Sequence, residues 1–471
     1  MNHKASILKR STLEEQTIAA ISTPFGESGI GIVRMSGPLA HSIVQRLFKP
    51  KKELTDLVPY HIHYGEIIAP ETGRVVDEVL VVLMKGPKTY TRGDIAEIQC
   101  HGGYLILQKV LELVLKQGAR MAEPGEFTRR AFINGRIDLT QAEAVIDVIR
   151  AKTAVGLEIA NQQLRGMLYR EMTSLKESLL NHLALIEAHI DFPEEELEPV
   201  PLGEMKKDLI EIAEKIGEWI ASYEEGKIFR EGVSCAIIGK TNVGKSSLLN
   251  VLLREDRAIV TPVPGTTRDV IEEVLNIHGI PVRLMDTAGL RKATDSVEKE
   301  GLKRTREKME DADLILLVID GSREIEGDDE EILRQTEKRK KIVVLNKKDL
   351  PLKVSLQDLR NLIAGSPIVP ISALKNEGTD DLMAAIHDSV FYKKGRTSPD
   401  YLIIANVRHR DALTRARENL SNAVRELERK SSPEFVAFEI RLAHEALGEL
   451  VGETTTEDVL NRIFGQFCIG K

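Results

Sequence analysis

The segment Gly239–Ser246 has the residue types and the spacing needed to hold phosphate groups. It reads Gly-Lys-Thr-Asn-Val-Gly-Lys-Ser and lies between an apolar run of strand length, Val233–Ile238, and the helix-forming Ser247–Leu253. Glycines let backbone N–H groups close around phosphates at a helix N-terminus. Lys245 would neutralise the β and γ oxygens, and the Ser246 hydroxyl would bind Mg²⁺. The motif and its context predict a nucleoside triphosphate site.

Two later segments predict which base this site takes. Asn346-Lys347-Lys348-Asp349 follows the apolar run Ile342–Leu345, and Ser372-Ala373-Leu374 comes further along the chain. The Asp349 carboxylate would accept two N–H donors that guanine offers and adenine does not, and losing such a buried pairing gives large discrimination. A backbone N–H of the second segment suits the guanine oxygen. Each segment alone is more often a plain loop, but their order and spacing predict GTP.

Two further segments are typical of loops that respond to the γ-phosphate. Asp286-Thr287-Ala288-Gly289 follows a strand-like run, and an acid there can hold the magnesium shell while the glycine N–H senses the phosphate. In Thr261–Asp269, Thr267 can complete the magnesium shell, and Gly265 suits a switch loop. Leu290, directly after Gly289, stands where Ras-like proteins carry a glutamine that orients the attacking water. Because leucine cannot form a hydrogen bond, hydrolysis is predicted to need a group from elsewhere.

The predicted nucleotide contacts lie within these five segments, with Ser247 directly after the first. They are Asn242, Val243, Gly244, Lys245, Ser246, Ser247, Thr261, Pro262, Val263, Pro264, Gly265, Thr266, Thr267, Asp286, Thr287, Ala288, Gly289, Asn346, Lys347, Asp349, Ser372, Ala373 and Leu374. Magnesium is expected on Ser246 and Thr267. Lys245 and Thr267 are also expected to act in GTP hydrolysis.

The elements that must position these segments have three different patterns. Around the motifs, apolar runs such as Leu314–Ile319 alternate with helical segments, as expected for a buried parallel sheet. Before about Thr128, short β-type runs and one helix predict an α+β domain. Between them, an apolar stripe at helical spacing covers Leu164–Ile190, and a second stripe, Met205–Ile220, is expected to end at Gly226. A helical pattern returns after about residue 390.

The simplest arrangement of these patterns is an insertion. We expect an N-terminal α+β domain at 1–128, a helical domain at 129–225 and 390–471, and an α/β domain inserted into it at 226–389. Insertion is tolerated because the termini of a domain often lie close together. The predicted fold class is therefore a multidomain α+β chain with an inserted α/β phosphate-loop domain.

Composition sets limits on location and partners. A chain of 471 residues with 42% hydrophobic and 29% charged residues is typical of globular proteins with several domains. No apolar run is long enough to span a membrane, and three scattered cysteines predict a reducing compartment, so we expect a cytoplasmic protein. The net charge of −8 argues against a broad basic surface for nucleic acid. Any RNA contact should be local, weak or shared with a partner.

The stretch Asp286–Glu298, taken with Gly265–Asp269 and Asn242, resembles the G domain of the MnmE (TrmE) family of tRNA modification GTPases. The resemblance implies a K⁺ ion near the phosphates that acts in place of an arginine finger, and G domains that pair across a dimer. The implied K⁺ ligands are Asn242, Thr261, Val263 and Thr266. It also implies that Glu298 orients the attacking water, although in a Glu-Lys-Glu run Glu298 is alternatively a solvated surface charge.

The flanking segments resemble the same family over nearly the whole chain. The matching segments are Ala19–Pro24, Gly29–Arg34, Cys100–Gly103, Pro124–Gly135, Leu139–Ala144, Ile190–Glu195 and Cys468–Lys471. The resemblance implies a homodimer joined through an N-terminal domain that binds a tetrahydrofolate derivative, in its 5-formyl or 5,10-methylene form. The family's folate positions fall on Arg34, Glu97, Arg136 and Lys471. Cations there would suit the glutamate tail, and a carboxylate would suit the N–H-rich pterin.

Two positions depart from the family pattern, and one residue keeps two interpretations. Arg136 stands where members often have lysine, which retains the charge but changes the donor geometry. The segment Tyr90–Asp94 reads Tyr-Thr-Arg-Gly-Asp, where the family has a Tyr-Thr-Gly-Glu-Asp-like sequence. Cys468 is either a reactive thiol or a small residue that closes the last helix.

The resemblance also implies a reaction and a partner. The chain would act with the FAD- and NADH-using protein MnmG (GidA), in a heterotetramer-type complex, on C5 of the tRNA wobble uridine. An aminomethyl or carboxymethylaminomethyl group would be added, with its one-carbon unit taken from the folate. Flavin and nicotinamide are expected on the partner, because no Gly-x-Gly-x-x-Gly follows a strand in this sequence. A GTP-switched ribosome assembly factor and a folate-dependent one-carbon transferase with a regulatory GTPase domain are the alternatives.

Overall fold

The computed structural model of the chain describes residues 16–24, 26–51, 56–192, 201–255, 273–285, 311–363, 365–391 and 402–471. Within these ranges no helix combines the length and the apolar character needed to cross a bilayer.

The N-terminal domain is a seven-stranded sheet with helices on one face. Its strands, in the spatial order β3-β4-β5-β6-β2-β1-β7, are antiparallel except for the β1/β7 pair. The elements are β1 (Ile18–Ile21), β2 (Gly31–Ser36), α1 (Ala40–Leu47), β3 (Phe48–Pro50), β4 (Ile62–Ile68), β5 (Val75–Met84), β6 (Ile95–Cys100), α2 (Tyr104–Lys116) and β7 (Arg120–Met121). Val33, Val81 and Ile98 point to the helix-covered face and are fully buried. The other face is partly open, as is common for antiparallel sheets.

A run of helices follows this sheet. They are α3 (Glu126–Ile133), α4 (Leu139–Arg150), α5 (Ala154–Leu164), α6 (Met167–Asp191), α7 (Leu202–Ala221) and α8 (Tyr223–Glu231). The long helix α6 buries Leu168, Met172 and Leu179 at helical spacing. Such a stripe has to pack against other helices to leave water.

The α/β domain comes next and holds a six-stranded sheet in the order β13-β12-β11-β8-β10-β9. Its elements are β8 (Val233–Ile238), α9 (Lys245–Glu255), β9 (Glu273–Ile277), β10 (Ile280–Leu284), β11 (Leu314–Asp320), α10 (Gly327–Gln335), β12 (Lys341–Asn346), α11 (Leu356–Leu362), β13 (Ile368–Pro370) and α12 (Thr379–Val390). All pairs are parallel except β9/β10. Every residue of β11 is buried, because apolar clusters cover both faces.

The last three helices complete the helical domain. They are α13 (Val407–Arg429), α14 (Pro433–Val451) and α15 (Glu457–Phe464). One apolar core joins Leu179 of α6 and Leu209 of α7 to Leu413 of α13 and Leu447 of α14. Segments on both sides of the α/β domain therefore pack as one body. The expected fold class is confirmed: an α+β sheet domain, a helical domain and an α/β phosphate-loop domain.

Two predicted helix limits are wrong. Leu164 belongs to α5 and not to the long helix, because Gly166 adopts a left-handed φ of 76° and separates α5 from α6. Gly226 does not end a helix but lies inside α8. A Cβ atom at position 226 would lie 2.3 Å from the Ile404 carbonyl oxygen, so a close backbone approach requires the glycine.

A buried charge network ties α4 to the start of α13. The Glu143 carboxylate accepts hydrogen bonds from Arg408 Nη2 at 2.6 Å, from His409 Nε2 at 2.6 Å and from Asn406 Nδ2 at 3.1 Å. Burial opposes ionisation of Glu143, but His409 and Arg408 outweigh it and lower the pKa of this carboxyl to about 2. Glu143 thus stays charged and fixes the two halves of the helical domain to each other.

Removing this carboxylate should destabilise the helical domain. Glu143→Ala leaves the partly buried Arg408 guanidinium without its counter-charge and the buried His409 without its acceptor, which costs about 3–5 kcal/mol. Trp219 is the only tryptophan of the chain and lies in the helical core, so its fluorescence during urea unfolding reports on this domain. Because the folded-state pKa is depressed, the stabilisation is present above the ordinary carboxyl pKa and is lost as the pH falls toward 2.

The matched control is Glu445→Ala, which removes an exposed glutamate of α14 and should change stability by less than about 0.5 kcal/mol. Equal urea midpoints for the two variants at pH 7 would show that the network does not hold the domain together.

Candidate guanine-nucleotide site

The phosphate loop, Gly239–Ser246, connects the carboxyl end of β8 to α9 and is tightly packed against neighbouring strands. A Cβ atom at Gly239 would lie 2.3 Å from the Val318 carbonyl oxygen, and one at Gly244 would lie 2.1 Å from Asn346 Nδ2. Gly244 also has a left-handed φ of 99°. Only glycine fits such positions without displacing backbone or a fixed side chain. The loop is therefore shaped by contacts with β11 and β12.

Lys245 is folded back over this loop. Its ammonium donates to the Gly239 carbonyl oxygen at 2.7 Å and to the Lys240 carbonyl oxygen. Ser246 and Ser247 are exposed in the first turn of α9, where helical N–H groups have no intrahelical partner. The lysine charge and the helix N-terminus thus meet at one place, which is an arrangement that binds phosphate.

The Asn346 carboxamide joins the phosphate loop to the base loop, Ser372–Leu374. Asn346 is 3% exposed and comes at the end of β12. Its Nδ2 donates to the Val243 carbonyl oxygen at 2.8 Å, and its Oδ1 accepts from the Ala373 N–H at 3.0 Å. Both hydrogen-bonding ends of the side chain are used within the protein. Asn346 thus fixes the phosphate loop and the base loop relative to each other.

The base side carries an oriented carboxylate. Asp349 Oδ1 accepts a 2.6 Å hydrogen bond from Ser372 Oγ, which lowers the pKa of Asp349. The backbones of Ser372 and Glu377 exchange two hydrogen bonds, each N–H donating to the other residue's carbonyl oxygen, which closes the base loop. Ala373 is buried, whereas the Leu374 side chain is 85% exposed. Asp349 is therefore ionised at neutral pH and is fixed beside the Ala373 N–H region.

Sequence reasoning missed two acids that support this site, Asp320 and Asp329. Lys347 has a left-handed φ of 67° and donates from Nζ to Asp320 Oδ2 at 2.6 Å. Burial disfavours the charged form of Asp320, but Lys347 overcomes this and lowers the pKa of Asp320. Lys240, in the phosphate loop, pairs with Asp329 Oδ2 at 2.8 Å and so ties the loop to α10. The Glu326-x-x-Asp329 spacing of a helix N-cap was the one available signal.

Several predicted residues lie outside the described ranges. They are Thr261, Pro262, Val263, Pro264, Gly265, Thr266, Thr267, Asp286, Thr287, Ala288, Gly289, Leu290 and Glu298. The second magnesium ligand, three of the four K⁺ ligands and the water-orienting glutamate therefore stay predictions.

In the N-terminal domain, three of the four predicted folate residues meet. Arg34 on β2 and Glu97 on β6 are Cα partners, and Arg34 Nε donates to Glu97 Oε1 at 2.8 Å. Burial lowers the pKa of Lys471, and nearby Arg34 lowers it further. The terminal segment is held in place because Phe127 N–H donates to the Lys471 carbonyl oxygen at 3.2 Å. We call Arg34, Glu97 and Lys471 the Arg34 cluster.

Arg136 is linked to this cluster through Tyr90. The Arg136 guanidinium lies 4.7 Å from the centre of the Tyr90 ring, and its Nη1 donates to the Tyr90 carbonyl oxygen at 3.3 Å. The Tyr90 hydroxyl shares a 2.9 Å hydrogen bond with Thr128. Burial raises the pKa of Tyr90, while Arg136 and Arg34 oppose this rise, so both arginines act on the same ring.

The cysteines divide by exposure. Burial raises the pKa of Cys100 to about 11 and that of Cys235 to about 12. Cys468, three residues before Lys471, is exposed. Among the three, only Cys468 is placed where a reagent can reach it.

Comparisons with known proteins cover both flanks of the α/β domain. Residues 139–468 match the model of the MnmE helical domain, and residues 17–136 match the model of the TrmE N-terminus. The chain belongs to the MnmE family of tRNA modification GTPases. As a member of this family it is a GTPase, and the N-terminal match accounts for a domain that a ribosome assembly factor would leave unexplained.

Individual members are similar over their full length. The tRNA modification GTPase MnmE of Geobacter sulfurreducens is 50% identical over 97% of this chain and 99% of its own length. The MnmE proteins of Alkaliphilus oremlandii and Thermoanaerobacter pseudethanolicus are 48% and 49% identical, with the same coverage. Among solved structures, the G domain of the T. maritima FeoB iron transporter is 27% identical over 34% of this chain and 99% of that chain, with a TM-score of 0.26.

The base specificity should depend on Asp349. Asp349→Asn replaces an acceptor of two guanine N–H groups by a group that also donates, so the GTP affinity should fall at least about a hundredfold. Xanthosine triphosphate, which has a carbonyl oxygen in place of the guanine amino group, should then bind better than GTP. Calorimetric titration of both nucleotides measures this exchange.

Asp380→Asn is the matched control, because Asp380 is an exposed acid in the first turn of α12. It should leave both affinities unchanged. Unaltered GTP binding by Asp349→Asn would remove this residue from base recognition.

Proposed function

We propose that this chain is a K⁺-stimulated GTPase that modifies the tRNA wobble uridine at C5 together with the FAD-dependent partner MnmG (GidA). The observation that supports this most is the presence of two prepared sites in one member of the MnmE family. One is the guanine-nucleotide site at Lys245, Asn346 and Asp349, and the other is the Arg34 cluster.

In the nucleotide site, each residue has a role that follows from its chemistry. Asp349 binds the guanine N–H groups, Lys245 neutralises the phosphates, and the loop N–H groups orient them for hydrolysis. Ser246 and Thr267 would hold Mg²⁺, which supplies positive charge against the β and γ oxygens. Glu298 would orient the attacking water, because Leu290 cannot.

A monovalent cation fits the exposed side of the phosphate loop. Asn242 has a left-handed φ of 62° and is exposed, and among the described residues its carboxamide makes no hydrogen bond. A carboxamide oxygen is a suitable ligand for a hard cation. K⁺ would be held by Asn242, Thr261, Val263 and Thr266, and would supply positive charge near the phosphates.

The Arg34 cluster suits a ligand that is N–H-rich at one end and anionic at the other. Two cations, Arg34 and Lys471, lie beside one carboxylate, Glu97, so the cluster keeps an excess positive charge in a partly buried place. Such a charge is stabilised by an anionic ligand. A tetrahydrofolate, in its 5-formyl or 5,10-methylene form, would place its pterin at Glu97 and its glutamate toward the cations, and would provide the one-carbon unit.

The open face of the N-terminal sheet suits a second copy of the chain. Ile62 and Tyr64 on β4 are 66% and 51% exposed, and Ile62 is the Cα partner of Val82 on β5. Val82 in turn pairs with Glu97, so this apolar surface continues into the Arg34 cluster. A homodimer formed here would cover the apolar side chains and enclose the folate. We place the protein in the cytoplasm, where its tRNA substrate is found.

Nucleoside analysis of tRNA tests the proposal. Cells lacking this protein should lose the C5 modification of the wobble uridine, measured by mass spectrometry of digested tRNA. The wild-type chain and Asp380→Asn should restore the modification, whereas Asp349→Asn should not. Unchanged wobble uridine in the cells that lack the protein would defeat the proposal.

A further inference from the structure

Arg92 stands at a backbone position that favours glycine. It has a left-handed φ of 59°, which side chains with a Cβ atom rarely adopt. The loop gives this residue little freedom, because Thr89 Oγ1 donates to the Gly93 carbonyl oxygen at 2.6 Å and Thr91 Oγ1 shares a 2.7 Å hydrogen bond with Ser36. A strained arginine where the backbone favours glycine points to a contact made by its side chain.

The Arg92 side chain crosses to the turn between α3 and α4. Its Nη1 donates to the Asn134 carbonyl oxygen at 2.9 Å, while Arg136 donates in the opposite direction to the Tyr90 carbonyl oxygen. Each arginine is thus held by the segment that carries the other. One N–H of each guanidinium is used in this way, and the remaining donors are exposed to solvent. Across the described residues, neither arginine has a carboxylate within ion-pair distance.

These two arginines extend the Arg34 cluster in one direction. Tyr90 is close enough to both Arg34 and Arg136 for their charges to act on it, and Arg92 Nη1 lies next to Gly135, adjacent to Arg136. In a folate whose pterin lies at Glu97 and whose first glutamate lies toward Arg34 and Lys471, a tail that continued past Tyr90 would reach Arg136. Glutamates added through the γ-carboxyl group would continue outward toward Arg92.

We propose that Arg92, together with Arg136, binds the γ-linked glutamate tail of a polyglutamylated tetrahydrofolate. This inference rests on the proposed folate binding and adds the form of the substrate. Each added glutamate brings one α-carboxylate, and a guanidinium pairs with a carboxylate through two parallel hydrogen bonds. Prepositioning of both guanidinium groups reduces the entropy lost when the tail binds.

Calorimetric titration of the full chain with 5-formyltetrahydrofolate, as monoglutamate and as triglutamate, tests this inference. The wild-type chain should bind the triglutamate about tenfold more tightly, which corresponds to about one charge-assisted pair. Arg92→Gly should abolish this preference and leave the monoglutamate affinity unchanged, and Arg92→Lys should keep part of it. Because glycine accepts the left-handed conformation, Arg92→Gly should fold with an unchanged urea midpoint.

Arg74→Gly is the control, because it removes an exposed arginine of the same domain. Arg74 directly precedes β5, and this end of β5 is the one far from the Arg34 cluster. This variant should keep the tenfold preference. If Arg92→Gly retains the preference, or weakens both ligands equally, the tail does not contact Arg92. Unchanged folate preference with weaker tRNA binding would assign Arg92 to RNA and overturn the inference.

The same titration separates this inference from the proposal on which it depends. A wild-type chain that binds both folates equally well contradicts tail recognition alone. A wild-type chain that binds neither contradicts folate binding and tail recognition together.

Discussion

The nucleotide site depends on one buried carboxamide. Asn346 bonds the phosphate loop through the Val243 carbonyl oxygen and the base loop through the Ala373 N–H, so two loops from distant parts of the chain share one anchor. A buried amide that lost either partner would leave an unsatisfied polar group, at a cost of about 1–3 kcal/mol. The distance between the phosphate loop and the base loop is therefore set by the protein itself. Lys240 and Lys347 add ion pairs to the same frame.

The way the α/β domain is attached leaves this frame undisturbed. Parallel strands place the phosphate loop and Asn346 at the carboxyl edge of the sheet. The helical domain contacts the opposite edge, where Ile159 and Phe229 join the apolar core of the α/β domain and Val155 touches the Gly279 turn. Nucleotide chemistry and domain attachment therefore use different ends of the same sheet. Among the described residues, the helical domain supports the sheet at the end opposite the phosphate loop.

Local signals in the sequence were sufficient for the strands, the phosphate loop and the order of the motifs. The spacing of apolar residues and the positions of glycines depend only on residues that are close in sequence. The strand Val233–Ile238 and the loop Gly239–Ser246 could therefore be placed correctly. Contacts between distant residues could not be derived in this way. The apolar stripe predicts a helix end at Gly226, whereas the close approach of the Ile404 backbone explains this glycine. The ion pair between Lys240 and Asp329 cannot be predicted either, because the second position of the phosphate-loop motif accepts any residue type.

Amide hydrogen exchange of Asn346→Ala tests the central claim, that one side chain fixes both halves of the nucleotide site. Peptides from the phosphate loop and from the base loop should both exchange at least about tenfold faster than in the wild-type chain, since buried hydrogen bonds to each are lost. Strand β10 should be unaffected. Faster exchange in the base loop alone, with the phosphate loop unchanged, would contradict the account.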